Sequence, residues 1–508
     1  MKQANKHTMK KTLFALGLAV ATMTASAADY YIVVPFKQKV SAPAPQNINV
    51  ALSSYDLPAG NVGSPYPDFN LNNLLVVTGD SNYTGSGAAW QIVSGELPPG
   101  LSLSGSGVIT GTPTTKNLTG NSFQVLASYK TKSGQQAYTI VVNGAVLQVT
   151  SMAAGGFHTC AITTAGGVKC WGSDAQGQLG DDGALAGKQT PVQVAGLTSG
   201  VASISAGRYH TCAVTTAGAV KCWGYDAQGQ LGDDASLSSQ PTPVQVAGLS
   251  SGVSSISAGR YHTCALTTAG GVKCWGYDSQ GELGNDASLS GQPTPVDVQG
   301  LTSGVKRIAA GGYHSCAVTT GGELKCWGDD EYGQLGNDGA LSKQPTPVQV
   351  SGMASGVETV DGGDYHTCAI TTSGGLKCWG YDAQGQLGND ASLINQPTPV
   401  QVSGLTSGVS AVSLGGYHTC AVTTAGGLKC WGYDVLGQLG NDGVMANQST
   451  PVDVIGLTSG VAGVSAGENH TCAHTTAGGA KCWGSYGEGQ LGNNTVTSNQ
   501  PTPADVLP

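Results

Sequence analysis

Fourteen cysteines, seven histidines, seven lysines and seven tryptophans recur in one fifteen-residue pattern, HTCAITTAGGVKCWG, which begins at His158 and returns six more times with small changes. Its first cysteine falls at Cys160, Cys212, Cys264, Cys316, Cys368, Cys420 and Cys472, a period of 52 residues with no insertion or deletion. Thiols, imidazoles and amines so close together are the raw material of a metal centre or of nucleophilic catalysis. The spacing argues against both. Zinc sites favour cysteine pairs two to four residues apart, usually two pairs together, whereas nine residues always separate these two. No carboxylate or second histidine recurs at ligand spacing within a repeat, and no nucleophile with its base, no carboxylate pair and no phosphate loop is found. The acidic loop Asp226 to Asp234 lacks the spacing and the bidentate glutamate of a calcium loop, and Tyr486 replaces its first aspartate in the last copy. Neither enzymatic activity nor a metal or cofactor is therefore expected. The histidines (His158, His210, His262, His314, His366, His418, His470) read as buried hydrogen-bonding struts, the tryptophans as packing, the lysines as snorkelling stems.

A fixed period of this size means a propeller, a solenoid or an array. Seven such repeats fill the chain from about residue 145 to Pro508. In the second, Val201 to Ala206, His210 to Thr216, Val220 to Trp223 and Thr242 to Val246 read as four short strands. A glycine stands between the second and third runs of every copy (Gly166, Gly218, Gly270, Gly322, Gly374, Gly426, Gly478), as a hairpin turn with positive φ requires. A turn centred there sets Cys212 opposite Cys222 on adjacent antiparallel strands, both side chains on one face. Seven disulfides are thus expected, each stapling one hairpin: Cys160–Cys170, Cys212–Cys222, Cys264–Cys274, Cys316–Cys326, Cys368–Cys378, Cys420–Cys430 and Cys472–Cys482. Four-stranded units that cannot bury both faces alone close into a ring.

Charged residues make up 10% of the 508, against roughly 25% in ordinary globular proteins. The net charge of -9, with 22 Lys plus Arg and no basic stripe, argues against nucleic-acid binding. Lys2, Lys6, Lys10 and Lys11, the apolar run Leu13 to Met23 and the small residues Ala25-Ser26-Ala27 read as a secretory signal over 1–27, with Met1 or Met9 as the start. No cysteine precedes Cys160, so no lipid anchor is expected at that cleavage site, and no later segment has the length and apolarity of a membrane span. An oxidising location, secreted, periplasmic or at the cell surface, agrees with the cysteine framework.

Between them, over 28–144, Tyr30 to Phe36 reads as a strand and Ser41 to Gln46 as a Pro/Ala breaker. From Asn47 to Asn143, apolar runs such as Leu74 to Thr78 and Phe123 to Tyr129 alternate with turn residues, suggesting a small β-sandwich with Trp90 in its core. The stretch Trp90 to Thr114 resembles the immunoglobulin-like domains of bacterial exported proteins: Leu97-Pro98-Pro99-Gly100-Leu101, then Gly107, Ile109, Gly111, Thr112 and Pro113. The resemblance implies a spacer or adhesive module.

The repeats in turn resemble those of the regulator-of-chromosome-condensation family, with Gly207 to Thr211, Gly218 to Val220, Trp223-Gly224 and Gly229 to Gly232 matching its motifs. Glu282, Ser315 and Ala480 depart slightly and leave the frame intact. The resemblance implies an all-β fold with a seven-bladed β-propeller over 145–508. The paired cysteines depart from the nuclear members and are similar to the exported bacterial ones.

Positions where the copies differ are those the frame does not need. The loop before each recurrent histidine and the loop after each Trp-Gly should share one end of the blade. These loops carry Arg208, Arg260, Asp364 and Glu468, with Tyr209, Tyr261, Tyr313, Tyr365 and Tyr417 beside them and Tyr225, Tyr277, Tyr381 and Tyr433 after Trp-Gly. An aromatic rim with cations on one arc and anions on another suits a recognition surface. The same tyrosines equally suit packing between loops. The expectation is an exported, non-enzymatic binding, adhesion or scaffolding protein whose propeller face takes a protein or glycan. The alternatives are inhibition of an exported enzyme and the guanine-nucleotide exchange of the nuclear members, which the export signal disfavours. His474 stands at a strand position that is branched and apolar in the other copies.

Overall fold

Alternation of buried and exposed residues, broken by glycine turns, produces seven blades of four antiparallel strands each, hydrogen-bonded in chain order. The computed structural model describes residues 47–183, 185–234, 237–285, 289–338, 341–390, 393–441, 445–494 and 498–508. The expected signal segment, the Tyr30 to Phe36 strand and the Ser41 to Gln46 stretch lie outside these residues. Blade 1 comprises Val149–Ala154, His158–Thr163, Val168–Gly172 and Lys188–Gln193. Blade 2 comprises Val201–Ala206, His210–Thr215, Val220–Gly224 and Gln240–Gln245, and blade 7 ends the chain with Val461–Ala466, His470–Thr475, Ala480–Gly484 and Gln500–Asp505. The fourth strand of blade 2 begins two residues before the expected Thr242. Pro241 and Pro243 lack N–H donors, and this outermost strand tolerates them because one of its edges pairs with nothing.

The hairpin glycines hold φ of +77° (Gly166) to +86° (Gly478), and this turn sets the register that pairs Cys212 directly with Cys222. All seven such pairs are bonded and their sulfurs are buried. The apolar core is divided among the joints between blades. One cluster packs Cys212, Val214, Val220 and Leu231 against Val253, Ala265 and Trp275 of the next blade, and six others repeat it around the ring. Among the described residues, each blade is built of four consecutive strands and none borrows one for closure. Instead Leu147, just before blade 1, donates its N–H to Val506 at 2.9 Å and accepts from Ala480 at 3.0 Å, where Leu197 accepts from Val168 in blade 1.

Ahead of the ring, Asn49–Leu52 pairs with Leu75–Thr78, and the long hairpin Asn117–Tyr129 and Lys132–Asn143 joins Ala89–Gly95 in a larger sheet. Trp90 is buried in their common core and donates to Asn72 Oδ1 at 3.1 Å. Gln148 at the propeller's entry donates to Ser64 Oγ at 2.9 Å, tying the two units together.

Candidate functional site

The recurrent histidines join blades. His210 Nε2 lies 2.9 Å from Thr263 Oγ1 of the next blade, and that hydroxyl donates to the Gln230 carbonyl at 2.9 Å. A hydroxyl has one proton, already given to the carbonyl, so the imidazole donates from Nε2. Trp275 Nε1 donates to the same carbonyl at 2.9 Å. The clamp repeats at every joint, with Ser315 serving for threonine, and the last one runs from His470 to Thr159 at 2.8 Å, with Thr159 and Trp171 both on the Gln490 carbonyl. Burial pushes His210 down to about 3, and the other six to about 3 or 4, so the ring is uncharged at neutral pH. The first aspartate of the acidic loop is a staple within its own loop: Asp226 Oδ1 accepts the Leu231 N–H at 2.9 Å, and five other blades repeat this bond.

Outside this frame, the loop residues converge on one end of the ring. Phe157, Tyr209 and Tyr261 stack in sequence, with centroids 5.6 and 6.2 Å apart, and Tyr313, Tyr365 and Tyr417 do so at 5.8 and 6.1 Å. A second row meets them edge-on. Tyr225 sits against Tyr209 and Tyr261, Tyr277 against Tyr261, Tyr381 against Tyr365 and Tyr417, and Tyr433 against Tyr417. The result is a half-buried collar of two stacks, over blades 1 to 3 and 4 to 6, bridged by Arg260 between Tyr261 and Tyr313 and broken at blade 7 by Asn469 and Ser485. Tyr332 belongs to it as well, 5.4 Å from Tyr365 and 5.1 Å from Tyr381. The sequence gives it no signal, because it stands at a loop position where no other copy has an aromatic residue.

The cations stand on one arc, at blades 2 and 3, and the anions on another, at blades 5 and 7; they line the axial cavity and pair across its mouth, Arg208 with Glu468 at 3.0 Å and Arg260 with Asp364 at 3.0 Å. The side chains are only 15 to 18% exposed, and an unpaired charge at such a position is costly. Each pair spans a blade that has glycine at the same position. A Cβ on Gly156 would lie 2.8 Å from Arg208 Cγ, and one on Gly312 2.9 Å from Asp364 Oδ1, so any larger residue would obstruct the pairs. Each guanidinium also rests on two collar rings: Arg208 on Phe157 and Tyr209 at 5.4 and 5.3 Å, Arg260 on Tyr261 and Tyr313 at 5.9 and 5.3 Å. Burial and the neighbouring Asp364 push Glu468 up to about 7, against the pull of Arg260.

His474 has a local explanation. It pairs with Gly463, and a Cβ there would lie 2.5 Å from its Cε1, so the imidazole is accommodated by the missing side chain opposite.

A family model described as the RCC1-like domain matches residues 119–455. The chain belongs to the RCC1-like family. A second model, named Putative Ig domain, matches 51–143 ahead of the propeller. The ultraviolet-B receptor UVR8 of Arabidopsis thaliana is 32% identical over 369 residues, covering 71% of this chain and 82% of that protein. The probable E3 ubiquitin-protein ligase HERC6 of Homo sapiens is 32% identical over 292 residues, which cover 55% of this chain and 28% of the ligase. Among solved structures, human WBSCR16 superposes with a TM-score of 0.58 at 24% identity, over 68% of this chain and 90% of that one. Prp20p of Saccharomyces cerevisiae does so with 0.55 at 23% identity, over 63% and 80%. At these identities the two structures speak to the fold alone. Seven disulfides in this RCC1-like chain point to an oxidising compartment, and among the described residues no helix is long and apolar enough to cross a membrane.

Proposed function

We propose that this RCC1-like chain is an exported, non-enzymatic binding protein, adhesive or scaffolding, with the Ig-like unit as spacer and the tyrosine end of the propeller as its reading face. The observation that carries this reading is the collar itself. Its rings are only half-buried, its edge-on row varies between blades more than the clamps do, and tyrosine offers a large rigid surface with a polar tip. The seven cystines and the signal-like N-terminus support export.

The test uses the full chain with Tyr225→Ala, Tyr277→Ala, Tyr381→Ala and Tyr433→Ala together, changes confined to the edge-on row. Binding to exported proteins and to cell-surface glycans should be lost while the melting temperature stays within a few degrees. Cell fractionation with thiol trapping should find the wild type outside the cytoplasm and oxidised. A reduced cytoplasmic protein, or a quadruple variant that retains every partner, would defeat the reading.

A further inference from the structure

Resting on that reading, the geometry points to a specific occupant for one part of the face: we propose that the mouth at Gly416 receives an arginine side chain of a partner protein, its guanidinium lying on Tyr365 and Tyr417 and paired with Asp364 and Glu468. The chain itself shows how such a group is held, because Arg208 and Arg260 each lie against two successive collar rings while pairing with a carboxylate. Around the mouth, the position two before each recurrent histidine reads Gly156, Arg208, Arg260, Gly312, Asp364, Gly416 and Glu468.

Gly156 and Gly312 lie beneath the two ion pairs. Gly416 has acid on both sides: a Cβ there would lie 3.1 Å from the Glu468 carbonyl oxygen, 3.2 Å from Glu468 Cγ and 3.5 Å from Asp364 Oδ2. Glu468 Oε2 is buried without a partner, although Oε1 meets Arg208. The Tyr365 and Tyr417 rings above, 6.1 Å apart, repeat the Phe157 and Tyr209 arrangement on which Arg208 rests, yet neither Arg208 nor Arg260 reaches them. A planar cation is the group that two ring faces and two carboxylates have in common.

The surroundings are predominantly acidic. The loops at this end present exposed Asp182, Asp234, Glu331, Asp338 and Asp390 against exposed Lys343, in a chain of net charge -9. A basic protein loop fits this ground, and an acidic one does not.

The experiment titrates the full chain, by calorimetry or by chemical-shift change, with acetyl-Gly-Arg-Gly-amide and with its citrulline counterpart, a neutral isostere. The arginine peptide should bind at least about tenfold more tightly than the citrulline one. Gly416→Arg should abolish its binding by filling the site from within, as blades 2 and 3 already do, and should move the melting temperature by no more than a few degrees. Should that variant fold poorly, Glu468→Gln and Tyr417→Ala provide the same test, each weakening binding by about tenfold. Equal binding of the two peptides, no binding of either, or arginine binding indifferent to these substitutions overturns the inference. An oligosaccharide that binds where the arginine peptide does not would also overturn it while leaving the collar's role as a reading face intact, whereas loss of all binding to the wild type would remove both.

Discussion

Glu282 stands in blade 3 where the other six blades have glutamine, at a wholly buried loop position. Its Oε2 accepts the Gln280 N–H at 2.9 Å, the bond that Gln230 makes through Oε1 to Gln228 at 3.0 Å, and its Oε1 has no partner. Burial pushes its pKa from 4.5 up to about 8, with Asp278 and Asp329 adding to the rise and backbone hydrogen bonds opposing it. The folded chain thus disfavours the carboxylate while the unfolded chain does not. The stability this group contributes is fully present below pH 4.5 and is lost as pH rises through about 8. Glu282→Gln keeps the accepted hydrogen bond and removes the titration. The variant should exceed wild type by under about 1 kcal/mol at pH 5, by about 3 at pH 7, and by about 5 above pH 8, at 1.36 kcal/mol per unit. Denaturant unfolding of both oxidised proteins at several pH values, followed by tryptophan fluorescence, measures this gap. A gap that does not change with pH, or a variant less stable than wild type at pH 8, would refute the reasoning.

Three further outcomes follow from the same structure. Arg260→Ala should destabilise by about 3 kcal/mol, because Asp364 is left buried and unpaired, and adding Asp364→Asn should recover part of the loss in a double-mutant cycle. Thr263→Val removes the hydroxyl between His210 Nε2 and the Gln230 carbonyl and should cost about 1–3 kcal/mol by unfolding measurements, while Thr263→Ser should cost much less, as Ser315 already serves in that place. The buried cystines should resist reductant in the native state and react only as the ring unfolds, which alkylation and mass spectrometry will show. Removing one pair as Cys264→Ala with Cys274→Ala should lower stability by about 2–3 kcal/mol.

Much of the frame was legible because each blade repeats its own short-range logic. The turn at Gly218 places Cys212 opposite Cys222 from local spacing alone. The histidines were legible as struts, although the partner lies 53 residues on for six of them and 311 residues back for His470, in the neighbouring blade, and is visible only once the ring is closed. The mouth was harder to read. Arg208 and Glu468 are far apart in sequence, and their attraction depends on a closed ring that brings blade 7 to within two places of blade 2. The mixture of glycine and charge at that position was the available signal, and only the Cβ clearances show why glycine is needed beneath the two pairs. Similarly, Gly463 explains His474 only when the pairing register is known.

The joint between blade 7 and blade 1 uses the same clamp as the other six, and Leu147 is held to Val506 by a hydrogen bond of 2.9 Å. The hydrogen-bonded clamp does not mark the seam. The order in which the blades are strung is therefore a matter of inheritance rather than of mechanics. A gene that begins at Val305, passes through Val506, continues across a short linker into Leu147 and ends at Leu301 should encode the same ring, with an entrance moved three blades around it.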